Sequence, residues 1–511
     1  MVQTGYQTVK PNEINGTVSV IDEKMLNERS GTNILDRIIS QSSGLLLNVG
    51  KSNANPQNTT NISVRGLGTI NGPLDPLIVL DGFIYEGNIQ NINPNDIENV
   101  SLLKDAAAAS IWGARAGNGV IVLTSKKGKL NQPLQLAFNV NYILQDLPTI
   151  GLMNQMDNAD YINVERQLFN AGFFNGTINT PYAALTPVVE VLLALKNGKI
   201  NEATANQQIT ELSKGNTTQS YLDHFYTNAL TQQYAMNIKG GGTRNNYLFA
   251  AAYDRVKGET YEGNNKFNFR FANDFKIVKN LDLSTNIYYT HTASKSGRPT
   301  YNSQTVGGRY PSYLNFADAG GLPLTYRSAY TDTIANGKFL DWKYYPTEEY
   351  KLRYGTAKTQ EFFANVGLKY QIIEALNLQL SYQYQKQDLN AENLSAAESY
   401  AARDLVNTFS QYNATTGIVS YIVPKGGILQ QSYQTLSSQT ARAQFNFNKV
   451  VGLHSIDAIL GAEQRGSDAN ASGVTRWGYV ADPLNYTNVD VVGSYPQYLT
   501  GNYGELGGDG A

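Results

Sequence analysis

A small α/β unit followed by an antiparallel β-barrel of the membrane-spanning kind is the fold class these 511 residues predict. Three observations carry the prediction. Residues 76–128 hold three short apolar runs of strand length, at 77–80, 100–103 and 120–123, around an Ala-rich run. From Leu134 the apolar period changes to two and stays there. The connections between the period-two rows then alternate long and short, as in an up-and-down sheet with all its tight turns at one end.

In the α/β unit, Asp105 is placed to cap the Ala run as a helix and Gly113 to stop it. Upstream, Ile34, Leu35, Ile38 and Ile39 share one helical face, with Ser30 or Thr32 as cap. Gly44 ends that helix, 45–49 reads as a strand, and 50–61 is an Asn-rich loop. Residues 1–29 are polar and read as mostly extended.

The period-two rows begin with Leu134, Leu136, Phe138, Val140 and Tyr142, and continue through Tyr234, Tyr247, Phe267, Leu281, Phe362, Leu376 and Ala441 to a last row at Ile456, Ala458, Leu460 and Ala462. That makes about nine strands, several of them long enough to cross a bilayer at a ~45° tilt. Tight turns are expected at 240–244, 277–279, 371–375 and 449–452. Between them come long connections, with external loops at 144–230, 291–359, 388–437 and 464–511. A shorter gap at 256–265 takes the remaining outer position. A soluble sandwich would show more even linkers and shorter strands.

The stretch 30–128 resembles the plug of TonB-dependent outer-membrane transporters in the version carried by the SusC/RagA family. The resemblance rests on Pro76–Gly82 (PLIVLDG), Ile92–Ala106 (INPNDIENVSLLKDA), Trp112–Gly128 and the earlier Ile62-Ser-Val-Arg65-Gly66, in the family's order. Trp112 stands where Tyr is usual, and Gly5-Tyr6-Gln7 looks like a "GYG" element with its last glycine replaced. The resemblance implies a coupling segment at 1–29, a plug at 30–130 and a barrel portion at 131–511. Val2-Gln3-Thr4 would be the end of a TonB box, so the coupling segment is expected to be incomplete and to bind TonB weakly. It further implies energy-coupled import of a nutrient, an oligosaccharide or a peptide, with TonB and ExbB/ExbD on the periplasmic side, a SusD-like surface lipoprotein as lid, and an outer-membrane location among lipids. A surface binder or adhesin without transport is the alternative; it has no reason to carry a plug.

Composition is consistent with this and excludes other classes. Net charge is −2, so nothing draws the chain to nucleic acid. Cysteine is absent, which removes disulfides and thiolate metal sites. There is no cationic, apolar leader, so a mature form or a fragment is expected. No apolar run has the length of a transmembrane helix. The three histidines, His224, His291 and His454, lie in no metal-ligand spacing, and no nucleophile elbow occurs. The glycines at 113, 117 and 119 sit between a helix and a strand, the reverse of a dinucleotide loop. The chain is therefore expected to be no enzyme and to need no cofactor or metal.

The candidate site residues follow from the resemblance. Arg65 and Arg115 sit in plug motifs and would face the lumen, pairing with barrel-wall acids and locking the plug, or else bonding plug carbonyls. Asp81, in the PLIVLDG turn, joins them as a gating candidate. In the external loops, Tyr310, Tyr326, Trp342 and Tyr344 offer aromatic faces to a sugar ring or a peptide side chain. Helical stretches at 157–169 and 187–195, with 201–213 as a further candidate, read as folded parts of the first loop. A plugged lumen needs about 22 strands, so nine are expected to form an open, curved sheet whose first and last strands do not pair.

Overall fold

The computed structural model describes residues 2–9, 16–47, 62–64, 75–105, 110–149, 155–180, 183–301, 305–306, 308–318, 320–321, 324, 331–452 and 454–506. It begins with a small hairpin in which β1 (Val2–Gln3) pairs with β2 (Thr8–Val9). The plug follows as a five-stranded mixed sheet made of β3 (Val18–Asp22), β6 (Leu77–Leu80), β7 (Phe83–Ile84), β8 (Ile97–Leu103) and β9 (Val120–Ser125), in the order β3-β8-β9-β6-β7. A second pair, β4 (Leu45–Leu47) with β5 (Ile62–Val64), lies beside it.

β6 and the first four residues of β9 are continuously apolar because both faces of the sheet are covered there. One face packs on the helices Glu23–Asn27 and Ile34–Ile38 through Ile21, Leu26, Ile34, Ile38, Val100 and Leu123. The other packs on the 3-10 segment Ser110–Ala116 through Leu77, Val79, Val122, Trp112 and Tyr6.

The structure corrects three readings in this unit. Within 1–29, Glu23–Asn27 is helical and not extended, with Asp22 capping it by accepting from the Met25 N–H. The plug sheet takes in Val18–Asp22, so the unit begins before residue 30. The cap of the helix Ile34–Ile38 is Asn33, accepting from the Asp36 N–H, rather than Ser30 or Thr32. The Asn-rich loop and most of the Ala run lie outside the described residues.

The rest of the chain builds one antiparallel sheet. Its strands are β10 (Gln135–Gln145), β11 (Ala229–Gly241), β12 (Asn245–Lys257), β13 (Gly263–Val278), β14 (Leu281–Lys295), β15 (Arg353–Ile373), β16 (Leu376–Ser395), β19 (Gly427–Val451), β20 (His454–Val480) and the short β21 (Asn485–Thr487). β17 (Gln411–Asn413) and β18 (Ile418–Ser420) form a separate hairpin in the loop between β16 and β19. Each strand of the ten-stranded sheet pairs with its chain neighbour, and β10 and β21 are the two edges. The nine expected strands are all present, with β21 added. The sheet is open, and β10 and β20 do not pair.

Period-two alternation places Phe249, Tyr253, Phe267, Phe269, Phe362, Val366, Leu380 and Tyr382 outward, where they are exposed as a lipid-facing band. Asn268, Arg270, Asn286, Glu361, Phe363, Gln383 and Gln385 point the other way and are buried against the plug.

The strands run well past the apolar rows. The loop expected at 388–437 shrinks to 396–426, and 464–480 is strand rather than loop. The gap expected at 256–265 shrinks to 258–262. The physical reason is that the hydrogen-bond ladder continues above the bilayer, where no face needs to be apolar. Gln430, Gln431, Ser432, Gln434 and Thr435 therefore pair as well as the Phe and Tyr rows below them.

The loop between β10 and β11 carries the helices Asn158–Asn170, Asn175–Asn179, Pro187–Lys196, Glu202–Leu212 and Thr217–Phe225. They dock on the loop after β14 through Val188, Ile209, Tyr313 and Leu314. No helix among the described residues is long and apolar enough to cross a membrane.

Candidate functional site: the interface of plug and wall

The β6–β7 turn positions the first part of the interface. Asp81 and Gly82 both take positive φ, 49° and 87°, which folds β7 back on β6 and turns the Asp81 carboxylate outward from the strand. Asp81 accepts from the Ser125 N–H at 2.9 Å and the Ser125 hydroxyl at 2.7 Å, tying the turn to the end of β9. It also accepts from the Tyr288 hydroxyl of wall strand β14 at 2.6 Å. Beside Tyr288 stands Arg270 of β13, fully buried, its guanidinium 5.0 Å from the Tyr288 ring. Arg270 donates to the Ser125 hydroxyl and to the Lys126 carbonyl, both at 2.6 Å, and more weakly to the Asp96 carbonyl at 3.4 Å. The wall thus holds the end of the plug sheet by charge-assisted bonds to plug carbonyls. Asp96, also in this region, has its carboxyl raised above the usual range by burial, opposed by Arg270, Lys126 and Lys266.

Residues 85–91 form the second part. Glu361, pointing inward from β15, accepts from the Tyr85 hydroxyl at 2.7 Å, the Asn91 amide at 2.6 Å and the Gln385 amide at 2.8 Å. Gln385 and Gln387 of β16 in turn accept from the Glu86 and Asn88 N–H groups at 3.1 and 3.2 Å. A side chain at Gly87 would place its Cβ 2.5 Å from the Glu361 carboxylate, so a larger residue would push that carboxylate or the segment out of place. Asn268 of β13 donates to the Asn91 carbonyl at 2.8 Å. Burial, with the Glu361 charge adding to it, pushes the Tyr85 hydroxyl well above its ordinary range, so it stays a donor at any physiological pH.

A buried charge cluster forms the third part. Arg37 of the plug helix, Asp254 of β12 and Lys266 of β13 are 1, 3 and 6% exposed. The Lys266 ammonium stands 3.4 Å from Asp254 and donates to the Thr32 and Gln90 carbonyls. Gln233 of β11 donates to the Gly31 carbonyl at 3.0 Å. Burial draws the Arg37 guanidinium down, and the neighbouring Asp254 and Asp36 charges oppose the shift.

The structure brings together some of the residues singled out in the sequence and separates others. Asp81 is in the interface. Among the described residues, Arg115 is paired neither with a wall acid nor with plug carbonyls. Its guanidinium sits 2.9 Å from Glu86, a plug acid, which the wall's Arg465 also contacts. Arg115 is 46% exposed, and among the described plug arginines Arg37 lies near a wall acid, Asp254. Arg65 and Tyr326 lie outside the described residues.

Tyr310 is exposed, while Tyr344 is half-buried with its ring 5.2 Å from that of Tyr400. Trp342 presents no face to solvent: it is 2% exposed, packs with Ile334 and Ala335, and donates to Asp404 at 2.6 Å. Asp404 and Tyr400 belong to the helix Tyr400–Phe409, which roofs a cavity of about 520 Å³ on the inner face of the wall's outer end, lined also by Arg353, Asn393, Gln430 and Trp477. Among the described residues no group of His, Asp and Glu is arranged to hold a metal ion.

Sequence reasoning missed Arg270, Glu361, Lys266, Asp254 and Arg37. The signal for four of them was present: each is a charge at the inward position of a period-two row, as Arg270 is between Phe269 and Phe271.

Comparison with known proteins agrees with this geometry. Residues 10–120 match the TonB-dependent Receptor Plug Domain. TonB-dependent receptor SusC of Bacteroides thetaiotaomicron is 35% identical over 147 residues, 27% of this chain and 14% of that protein. TonB-dependent receptor P3 of Formosa agariphila is 23% identical over 497 residues, 96% of this chain and 42% of that one. Among solved structures, the RagAB peptide importer in its open-open state superposes with a TM-score of 0.69 at 19% identity, covering 95% of this chain and 51% of the other. The closed-closed state gives 0.68, covering 92% and 50%.

The plug match and the superposition on RagAB give this chain the fold of part of a TonB-dependent receptor, a plug followed by a ten-stranded antiparallel sheet. The chain is SusC-like in sequence over those 147 residues and RagAB-like in fold over most of its length. It spans about half the length of the RagAB chains and 42% of P3.

Proposed function

We propose that the chain serves TonB-dependent import of an oligosaccharide or a peptide across the outer membrane, with the plug as the gate. The observation that supports this best is how the plug is held. Most of its ties to the wall are hydrogen bonds to backbone carbonyls and to neutral side chains, at Gly31, Gly82, Gln90, Asn91 and Lys126. Discrete polar ties, three of these five from wall cations, can be broken and remade and so suit a part that is displaced and then returns. A surface binder has no use for such a part.

Cargo would enter from the loop side. Tyr310, Tyr344 and the cavity under the helix Tyr400–Phe409 are our candidates for its first contacts. We further propose a SusD-like lipoprotein as lid over the loops, and TonB, energised by ExbB/ExbD, acting at the N-terminal segment. Asp81, Arg115 and, in the same motif set, Arg65 are our gating candidates.

The test is growth of a strain lacking the chromosomal gene, on a panel of oligosaccharides and of peptides as sole carbon or nitrogen source, with and without functional TonB. Loss of growth on one class, in both the gene deletion and the TonB mutant, is expected. Unchanged growth on the whole panel together with lost surface attachment would favour the adhesin reading.

A further inference from the structure

We infer that Arg442 of the wall is a latch that joins the N-terminal segment to the plug's β6–β7 turn, so that drawing the segment away unlocks the turn first. The inference rests on the importer reading above, and it starts from Trp112, the residue that departs from the plug motif.

Trp112 donates its indole N–H to the Thr4 carbonyl at 2.9 Å, and its ring lies 4.6 Å from that of Tyr6. Arg442 of β19 also stacks on Tyr6, its guanidinium 4.0 Å from the ring centre. Tyr6 is therefore held by both a plug aromatic and a wall cation. Gln444 of the same strand donates to the Tyr6 carbonyl at 3.3 Å.

Arg442 has a second set of bonds. Nη2 donates to the Gly82 carbonyl at 2.8 Å, and Nε donates to Glu463 at 2.6 Å. The guanidinium also lies 5.0 Å from the Phe83 ring. The two sets share one side chain, which is only 10% exposed. The segment and the turn also touch directly, since a Cβ at Gly82 would stand 2.7 Å from the Gly5 carbonyl. Gly5 can take no side chain either, because a Cβ there would run into the Trp112 ring. Gly82 adjoins Asp81, which carries the bonds to Ser125 and Tyr288.

Removing Tyr6 takes away one face of the Arg442 packing and opens the guanidinium to water, which weakens its bond to Gly82. Force on residues 2–6 is thereby delivered at the β6–β7 turn and not along β3, although β3 follows the segment in sequence.

The test is hydrogen exchange followed by mass spectrometry on the protein purified from the outer membrane, read in peptides covering 2–9, 77–86 and, as control, 97–103. Tyr6→Ala is expected to speed exchange about tenfold in both 2–9 and 77–86 and to leave 97–103 unchanged. Arg442→Gln is expected to do the same. Tyr6→Phe, which keeps the ring against the guanidinium and gives up the hydroxyl's contacts with Glu463 and Arg442, is expected to stay close to wild type and well below Tyr6→Ala. Faster exchange confined to 2–9 in Tyr6→Ala would overturn the latch, and so would a Tyr6→Phe variant as open as Tyr6→Ala. The exchange readout needs no cargo, so absence of uptake in the wild-type strain would count against the importer reading and leave the latch result standing.

Discussion

Tyr85 of the plug donates its hydroxyl to Glu361 of the wall across 2.7 Å, and both groups are buried. The carboxylate also takes donors from Asn91 and Gln385, so three donors converge on one acceptor. Glu361→Gln brings an amide N–H into a site already filled with donors. It is expected to loosen plug docking by about 1–3 kcal/mol, the cost of a buried polar group left without its partner. Tyr85→Phe removes one donor only and is expected to cost about 1 kcal/mol. Hydrogen exchange in a peptide covering 85–91 measures both, and equal, wild-type exchange in the two variants would show that the carboxylate is not holding this segment.

Arg270 anchors the end of the plug sheet, and Lys cannot replace its fork. Arg270→Lys keeps the charge but reaches fewer of the Ser125, Lys126 and Asp96 acceptors. It is expected to raise entry of a small hydrophilic dye into whole cells severalfold, and Arg270→Met to raise it further. Dye entry at the wild-type rate in Arg270→Met would remove Arg270 from the gate.

Arg115 behaves differently. The sequence motif alone suggests a buried lock whose loss strands a charge, at about 3–5 kcal/mol. With the side chain 46% exposed and its partner Glu86 also held by Arg465, Arg115→Ala is expected to cost less than about 1 kcal/mol. Glu86→Ala should cost more, because it leaves Arg465, 19% exposed, without its acid. Urea denaturation of the two variants side by side checks the order, and a larger loss in Arg115→Ala would reverse it.

Much of the fold was legible because it is written in periods. The apolar runs of β6, β8 and β9 and the alternating rows of the wall need no knowledge of tertiary contacts. The upper halves of β19 and β20 were not legible, since above the bilayer a strand of Gln, Ser and Thr is held by its backbone alone. The site was legible only where a motif named a turn, as at Asp81. Arg270 and Glu361 are lone charges in long strands, and what gives them meaning is the plug segment lying opposite, about 145 to 276 residues away in sequence. Trp342 shows the converse. An aromatic in a long external loop invites a binding role, yet the loop has a core of its own to fill.

The loop helices carry a pH dependence. Burial pushes the Glu190 carboxyl from 4.5 up to about 7. The folded state therefore binds a proton that the unfolded state releases between those two values, and stability falls as pH rises through that window. The loss is at most about 3 kcal/mol and is complete above pH 7. Exchange in a peptide covering 187–196 should quicken from pH 5 to pH 7 beyond the intrinsic pH effect, and Glu190→Gln should flatten the excess. A Glu190→Gln variant with the same excess would assign the dependence elsewhere, with Glu165, also raised by burial, as the next group to replace.

The central claim is that the plug must leave the wall for cargo to pass. These 511 residues hold no cysteine, so an introduced pair has no competing thiol among them. Asn91→Cys with Asn268→Cys joins the plug to β13 where the Asn268 amide now meets the Asn91 carbonyl. The decisive measurement is uptake, by cells carrying the paired variant, of whichever labelled oligosaccharide or peptide the growth panel returns, with the disulfide confirmed by gel mobility. Uptake is expected to be absent when the pair is oxidised and to return on reduction, with each single cysteine variant near wild type. Uptake at the wild-type rate through a fully oxidised pair would contradict the account.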